Sequence, residues 1–446
     1  MAQRTYPHVL IAGAGLSGLA LAQFLRKEGV SFEIFERDES VDARTQGWAI
    51  ALHGPLLADL KASMPEDIGP IEQKTNHLTP LDHIPPQIVF YDATKPDMRV
   101  GVTDDDSHHF VRANRQRLRD WLRQHIPVQY DKRVVGVDDS GEKVVVHFAD
   151  GSSASGDILI GAEGTRSTVR KHILHGQDVM KPLPVGSLVG ETELTGAEFA
   201  SQLELGHSAY IVFGPPQDQY QFAMFAGLNK VSPDGKTGYY YFLLFWIDEK
   251  AAQSTDENPY WTVNASREDL AAFARKATGS FPEHLRALPH KVPVERYLRP
   301  GIVLHSVELD ASQLPPGRVM LIGDAAHSMS PCKYFLPLPF PIEQGLTIPL
   351  SVRAEAGVCA LRDASDLGRT LTRIRDTGAK DADLEKLMAA FRDGMLGRAV
   401  ELSRISNAAI GEYARNNYKL YTCGKEAEPL PKESIVLEKV LSSMRR

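Results

Sequence analysis

Gly13, Gly15 and Gly18 stand at the spacing G-x-G-x-x-G within Gly13-Ala14-Gly15-Leu16-Ser17-Gly18, and Glu36 closes the apolar run that follows. These residue types at this spacing suit a dinucleotide. Gly13 permits a tight turn, Gly15 lets a pyrophosphate approach the backbone, and Gly18 lets a helix pack closely on a sheet. A helix N-terminus placed there offers amide donors and a positive dipole end to phosphate. Glu36 would accept from ribose hydroxyls. The flanking sequence supplies the elements such a site requires. His8–Ala12 is a short, apolar, β-prone run that reads as a strand buried on both faces. Residues 19–27 have helical spacing closed by Gly29, and Ser31–Phe35 reads as a second strand. The pattern alone does not separate NAD from FAD.

Later segments do. Asp157-Ile-Leu-Ile-Gly-Ala-Glu-Gly-Thr-Arg-Ser-Thr-Val-Arg170 is a buried strand followed by a polar, glycine-punctuated turn, and Arg318-Val-Met-Leu-Ile-Gly-Asp-Ala-Ala-His327 is another strand ending in Gly323-Asp324. With the glycine turn, these segments resemble the group A flavoprotein monooxygenases, the para-hydroxybenzoate hydroxylase-like family, and its fungal members in particular. The resemblance covers most of the chain and thins after about Arg404. It implies FAD, with Asp324 bonded to the ribityl chain. Asn114-Arg115-Gln-Arg-Leu118 matches the family's Arg-x-x-Leu helix, which implies that Arg115 contacts FAD near the pyrophosphate. Arg44-Thr-Gln-Gly-Trp-Ala49 resembles the segment passing the flavin, with Ala49 as a backbone contact, and Gly357 takes the flavin-facing glycine position. Glu163-Gly164 stands where the family has Asp-Gly, and His327 reads as a structural turn residue.

The expected fold is α/β: a Rossmann-like FAD-binding domain interleaved with a mostly antiparallel β-sheet substrate domain, plus C-terminal helices. The FAD-binding domain is expected over 1–184, with a substrate-domain excursion near 75–110, and again over 293–380. The substrate sheet is expected over 185–292 and the helical region over 381–446. Tyr210-Ile-Val-Phe213, Tyr220-Gln-Phe-Ala-Met-Phe225 and Tyr239-Tyr-Tyr-Phe-Leu-Leu-Phe-Trp246 are aromatic, β-prone runs. A sheet of these residues facing a flavin is where the family binds an apolar or aromatic substrate.

Composition narrows the classes. The chain has 446 residues, 43% hydrophobic and 24% charged, with a net charge of −7, so no nucleic-acid footprint is visible. Its three cysteines form neither a metal-ligand spacing nor a disulfide framework. The N-terminal segment has no signal-peptide pattern, and the apolar run 239–247 is too short to span a bilayer. A cytoplasmic protein without a transmembrane segment is expected. The G-x-G-x-x-G occurs once, and no C-x-x-C pair or Trp-x-Trp-x-Ile-Pro halogenase signature is present. The resemblance then implies an NADPH- or NADH-reduced hydroxylase or epoxidase of an apolar or aromatic small molecule in secondary metabolism. Molecular oxygen is the second substrate, activated as a flavin C4a-hydroperoxide. No side chain is demanded as acid, base or nucleophile. The alternatives are a flavin-dependent dehydrogenase or reductase on the same fold, and a non-catalytic flavin-fold protein.

One stretch breaks the resemblance. Ser328-Met-Ser-Pro331 opens a loop that the family continues directly into glycines and a helix; here Arg353-Ala-Glu-Ala-Gly357 resumes it after a proline-rich, apolar insert over residues 332–352. Such an insert is long for a loop inside a compact site. It reads either as a substrate-gating lid or, as we prefer, as an unspliced in-frame intron. Cys332-Lys333-Tyr334 can be encoded with the donor GTAAGT, Leu346-Thr347 with a CTNAC branch point, and Ser351-Val352 with the acceptor CAG. Splicing would join Pro331 through one Phe or Leu codon to Arg353.

Overall fold

The computed structural model describes residues 6–43, 47–95, 97, 99–104, 110–328, 355–411, 421–422, 425–426 and 428–430. The expected insert at 332–352 lies outside the described residues.

β1 (His8–Ala12) is buried at all five positions because it is the central strand of a parallel sheet. β2 (Ser31–Phe35) and β11 (Ile158–Gly161) flank it, with Leu10 opposite Glu33 on one side and Leu159 on the other. β7 (Val128–Gln129) and β18 (Val319–Leu321) complete the order β18-β11-β1-β2-β7. Near-continuous apolar strands are what a sheet covered on both faces requires. The helix after β1 spans Leu16–Glu28, earlier than the expected start at 19, because Gly15 is its N-cap and adds no side chain to the turn. Gly29 ends it at φ 70°, a left-handed cap that glycine adopts without a Cβ clash. The Glu355–Thr377 helix packs across it so closely that a Cβ on Gly368 would lie 2.4 Å from the Phe24 ring. A small antiparallel sheet of β8 (Val134–Asp138), β9 (Val144–Phe148) and β10 (Ser153–Gly156) sits beside this core.

The second layer is a seven-stranded sheet. β13 (Val185–Thr195), β14 (Ala209–Gln217), β15 (Tyr220–Val231) and β16 (Thr237–Ile247) lie in the order β13-β16-β15-β14 and are antiparallel. β4 (Gln87–Asp92) joins β14 in parallel, and β5 (Arg99–Thr103) and Glu428–Pro429 extend the edge. β12 (Lys181–Pro182) and β17 (His305–Ser306) pair where the chain enters and leaves this layer. The aromatic runs split by the strand period of two. Tyr240, Phe242, Leu244 and Trp246 enter one core with Phe199 and Leu285. Leu243 and Phe245 face the other way, with Ile211, Phe213 and Phe225.

An antiparallel ribbon, β3 (Ile50–His53) with β6 (Phe110–Ala113), joins the layers. Its Leu52, Val111 and Ala113 enter the parallel-sheet core, whereas Ala51 and Phe110 pack on the seven-stranded sheet. Among the described residues no helix is long and apolar enough to cross a membrane.

Candidate functional site

The glycine turn has three different reasons for its glycines. Gly13 has φ 103°, and a Cβ there would lie 2.4 Å from the Ala162 carbonyl oxygen. A Cβ on Gly18 would lie 2.0 Å from the Gly13 oxygen. Both close approaches require glycine. Gly15 differs, since nothing lies within 4 Å of its Cβ position. The N-terminal amides of the Leu16–Glu28 helix open onto that space with no capping side chain, which is the arrangement that receives a phosphate. Glu36, 6% exposed, sits at the same turn. Its Oε2 accepts from the Ala14 N–H at 2.8 Å and its Oε1 from the Asp38 N–H at 3.2 Å. Arg119 donates to the Ala14 carbonyl from Nε at 3.2 Å, a brace that sequence reasoning assigned no role.

The remaining sequence-derived site residues gather at one end of the ribbon. Ala49 is buried immediately before β3, and Asn114 follows β6 on the paired strand. Asn114 caps the Arg115–Arg123 helix by accepting from the Arg117 N–H at 3.0 Å, which leaves Arg115 exposed at the helix start. A Cβ on Gly47 would lie 3.6 Å from Arg115 Cδ, and one on Gly357 would lie 3.2 Å from Ile50 Cδ1. Asp324 begins the short Asp324–His327 helix. Burial pushes its carboxyl up, and the Arg115 charge pulls in the opposite direction, so the two share one electrostatic environment. Gly323 meets Ser17 of the first helix, its Cβ position 3.1 Å from Ser17 Oγ. Ser17 of the glycine turn thus approaches Gly323, and Asp324 feels the Arg115 charge at the ribbon end.

A buried polar network beside the Asp324 turn escapes sequence reasoning. Asp363, 1% exposed, accepts from the Gly323 N–H at 3.0 Å and pairs with His327 Nε2 at 2.5 Å; Arg398 reaches its other oxygen at 3.2 Å. Burial lowers the His327 pKa, but Asp363 and Asp324 outweigh it, so the net shift is upward. Both His327 and Asp363 lie in family-like segments, yet only the fold shows that they pair. Glu163 braces the start of the Thr168–Ile173 helix. It accepts from the Ser167 hydroxyl at 2.5 Å and from the Val169 N–H at 3.0 Å. Arg170 ties that segment to the next by donating to the Ala325 carbonyl at 3.0 Å.

On the sheet side of the ribbon, Trp48 stacks on Tyr241 with ring centroids 4.9 Å apart and planes 14° from parallel. The Trp48 indole N–H donates to Glu191 at 2.6 Å. Phe225 lies 5.7 Å from the same tyrosine ring. Trp48, Tyr241 and Phe225 therefore form one aromatic cluster beside the ribbon.

The comparisons with known proteins agree with this geometry. The family model for an NAD(P)-binding Rossmann-like domain matches residues 11–61, which include Gly13, Gly15, Gly18 and Glu36. The chain is 38% identical over 404 residues to the FAD-dependent monooxygenase thnD of Trichoderma harzianum, covering 90% of this chain and 92% of that protein. The chain belongs to the FAD-dependent monooxygenases. A probable FAD-dependent monooxygenase of Arthroderma benhamiae is 30% identical, over 73% of this chain and 77% of its own length. Among solved structures, HpxO of Klebsiella pneumoniae, complexed with FAD and uric acid, aligns with a TM-score of 0.64 at 18% identity, covering 99% of this chain and 94% of that one. A putative FAD-containing monooxygenase of Photorhabdus luminescens aligns with a TM-score of 0.66 at 22% identity, covering 90% and 98%. The enzyme is an oxidoreductase and FAD is its flavin. The residues present fit that group: open backbone at Gly15 beside uncapped helix amides, an exposed guanidinium at Arg115 and a carboxylate at Asp324 that feels its charge.

Proposed function

We propose that the enzyme uses NADPH or NADH to hydroxylate or epoxidise an apolar or aromatic small molecule in secondary metabolism. The observation that carries this reading is the aromatic face of Phe225, Tyr241 and Phe245 on the seven-stranded sheet, with Trp48 stacked on Tyr241, which packs toward the ribbon that Ala49 precedes and Arg115 follows. Such a face holds a flat apolar substrate by burial and excludes water from it.

FAD supplies the redox chemistry, passing electrons from the nicotinamide to dioxygen. The chain's own contribution is placement. The amides after Gly15 and the Arg115 guanidinium would take the pyrophosphate, Glu36 the ribose hydroxyls, and Asp324 the ribityl hydroxyls. Ala49 and Gly357 would lie along the ring system. The Asp363 bonds to Gly323 and His327 would hold the Asp324 turn in position.

The test uses the FAD-loaded full-length chain with NADPH or NADH, a panel of polycyclic phenols and alkenes, and isotopically labelled dioxygen. One labelled oxygen atom in a product supports the proposal. Nicotinamide oxidation with an oxidised but unoxygenated substrate replaces it with a dehydrogenase. Absence of turnover with every substrate and both nicotinamides, despite bound FAD, favours the non-catalytic reading.

A further inference from the structure

Arg112 is a buried cation that the fold leaves unneutralised. It is 3% exposed on β6, opposite Ala51, and its side chain joins the ribbon face that meets the seven-stranded sheet. Its Nη2 donates to the Tyr241 hydroxyl at 2.7 Å, and its guanidinium carbon lies 5.4 Å from the Phe225 ring centroid. Among the described residues no carboxylate pairs with it, and its buried Nε has no acceptor. Arginine is almost never fully buried without an anionic partner, because its desolvation must be offset.

Two titratable neighbours leave the charge standing. His77 meets the Arg112 backbone carbonyl through its own N–H at 3.1 Å and through Nδ1 at 2.8 Å. Burial and the Arg112 charge hold His77 well below the usual imidazole range, so it is neutral. Glu191 lies opposite Tyr241 in the β13–β16 register, but its Oε1 is turned to the Trp48 indole N–H. The surroundings are flat and aromatic. Tyr241 lies between Trp48 and Phe225 and over Gly227, where a Cβ would come within 2.8 Å of its ring. Arg112 also lies three positions before Arg115, the residue proposed to take the FAD pyrophosphate.

We propose that Arg112, held by Tyr241 and Phe225, anchors an anionic oxygen on the enzyme's aromatic substrate, either a carboxylate or an ionised phenol. The proposal rests on the reading of this apolar face as the substrate site. A guanidinium has five N–H donors in a planar fork, and Tyr241 takes one of them. Burial raises the Tyr241 pKa against the opposing Arg112 charge, so the hydroxyl keeps its proton and donates it to the same oxygen. A neutral isostere would leave the cation unpaired, which is how a buried polar site rejects the wrong ligand.

The experiment titrates the FAD-loaded enzyme with 2-naphthoate and 2-naphthamide, reading the flavin difference spectrum. A parallel pair, 4-nitrophenol above its ionisation and 4-nitroanisole, separates the phenolate arm from the carboxylate arm. At least one anion is expected to bind at least tenfold more tightly than its neutral partner. Arg112→Met should erase that ratio, weakening the anion and relieving the neutral ligand of an unpaired cation, and Arg112→Lys should keep part of it. Tyr241→Phe should weaken the anion severalfold. If Arg112→Met fails to retain FAD, the wild-type ratio and Arg112→Lys decide. Equal binding of anion and neutral isostere in both pairs overturns the proposal, as does an unchanged ratio in Arg112→Met. Oxygen incorporation, measured separately, tests the monooxygenase reading, so the two fail independently.

Discussion

Asp324 is where the smallest chemical change has the clearest consequence. Its carboxylate begins a helix at the end of β18, in the field of Arg115, and would accept from the FAD ribityl chain. Asp324→Ala removes an acceptor whose loss costs about 1–3 kcal/mol with its buried partners. FAD retention should fall about tenfold or more, measured as the flavin-to-protein ratio after gel filtration and as a dissociation constant; a fully yellow variant would remove Asp324 from the site. Asp324 is legible in the sequence because strand, Gly-Asp and helix are contiguous. Asp363 is not, because its partners Gly323 and His327 lie across a break in the family pattern. That buried pair makes a pH prediction. The folded-state pKa of His327 is raised above its unfolded value, so the pair's stabilisation is fully present below about pH 6.5 and is lost as pH rises through the raised value. Urea midpoints should therefore decline over that range relative to His327→Gln, whose profile should be flatter there. Parallel profiles would show that the pair does not titrate with folding.

At the scale of elements, what is local is readable and what depends on register is not. β1, the glycine turn and β2 follow from adjacent residues, and their boundaries agree with the sequence pattern. The Arg112–Tyr241 contact spans 129 positions and exists only because β6 is carried against the seven-stranded sheet by its pairing with β3. No periodicity in either segment announces it. The connection between the Asp324–His327 and Glu355–Thr377 helices is the element whose length is in question. Its two ends are already joined by the Asp363 bonds to Gly323 and His327. Lengthening a connection about fourfold between fixed ends costs about 1 kcal/mol in closure entropy. Replacing residues 332–352 with one Phe, the spliced form of the retained-intron reading, should therefore raise the melting temperature by about 2 °C and tighten FAD binding. A transcript across the junction tests the same idea at the level of the gene. If the long form turns over substrate and the shortened form does not, the insert is a working lid.

The whole molecule has one glycine turn of the dinucleotide type for a reaction proposed to need two nucleotides. The matched Rossmann-like segment, residues 11–61, carries Gly15 and Glu36, which the proposed function gives to the FAD nucleotide. On the proposed reaction, NADPH or NADH would dock transiently beside the FAD nucleotide. Docking of its phosphates on exposed cations would be screened, so added salt should weaken it. The aromatic wall around Tyr241 adds a second dependence: a bound substrate would displace water from the face beside the flavin and favour hydride delivery. Anaerobic stopped-flow measurement of flavin bleaching should show a rate that saturates with NADPH or NADH. Half-saturation should move to higher nicotinamide concentration as salt is added, and the limiting rate should rise when substrate is present. Salt independence would show that no exposed cation guides docking. A limiting rate indifferent to substrate would separate reduction from the aromatic face. Bleaching by neither nicotinamide would exclude the proposed electron source and leave the flavin to be reduced by another protein or by the substrate itself.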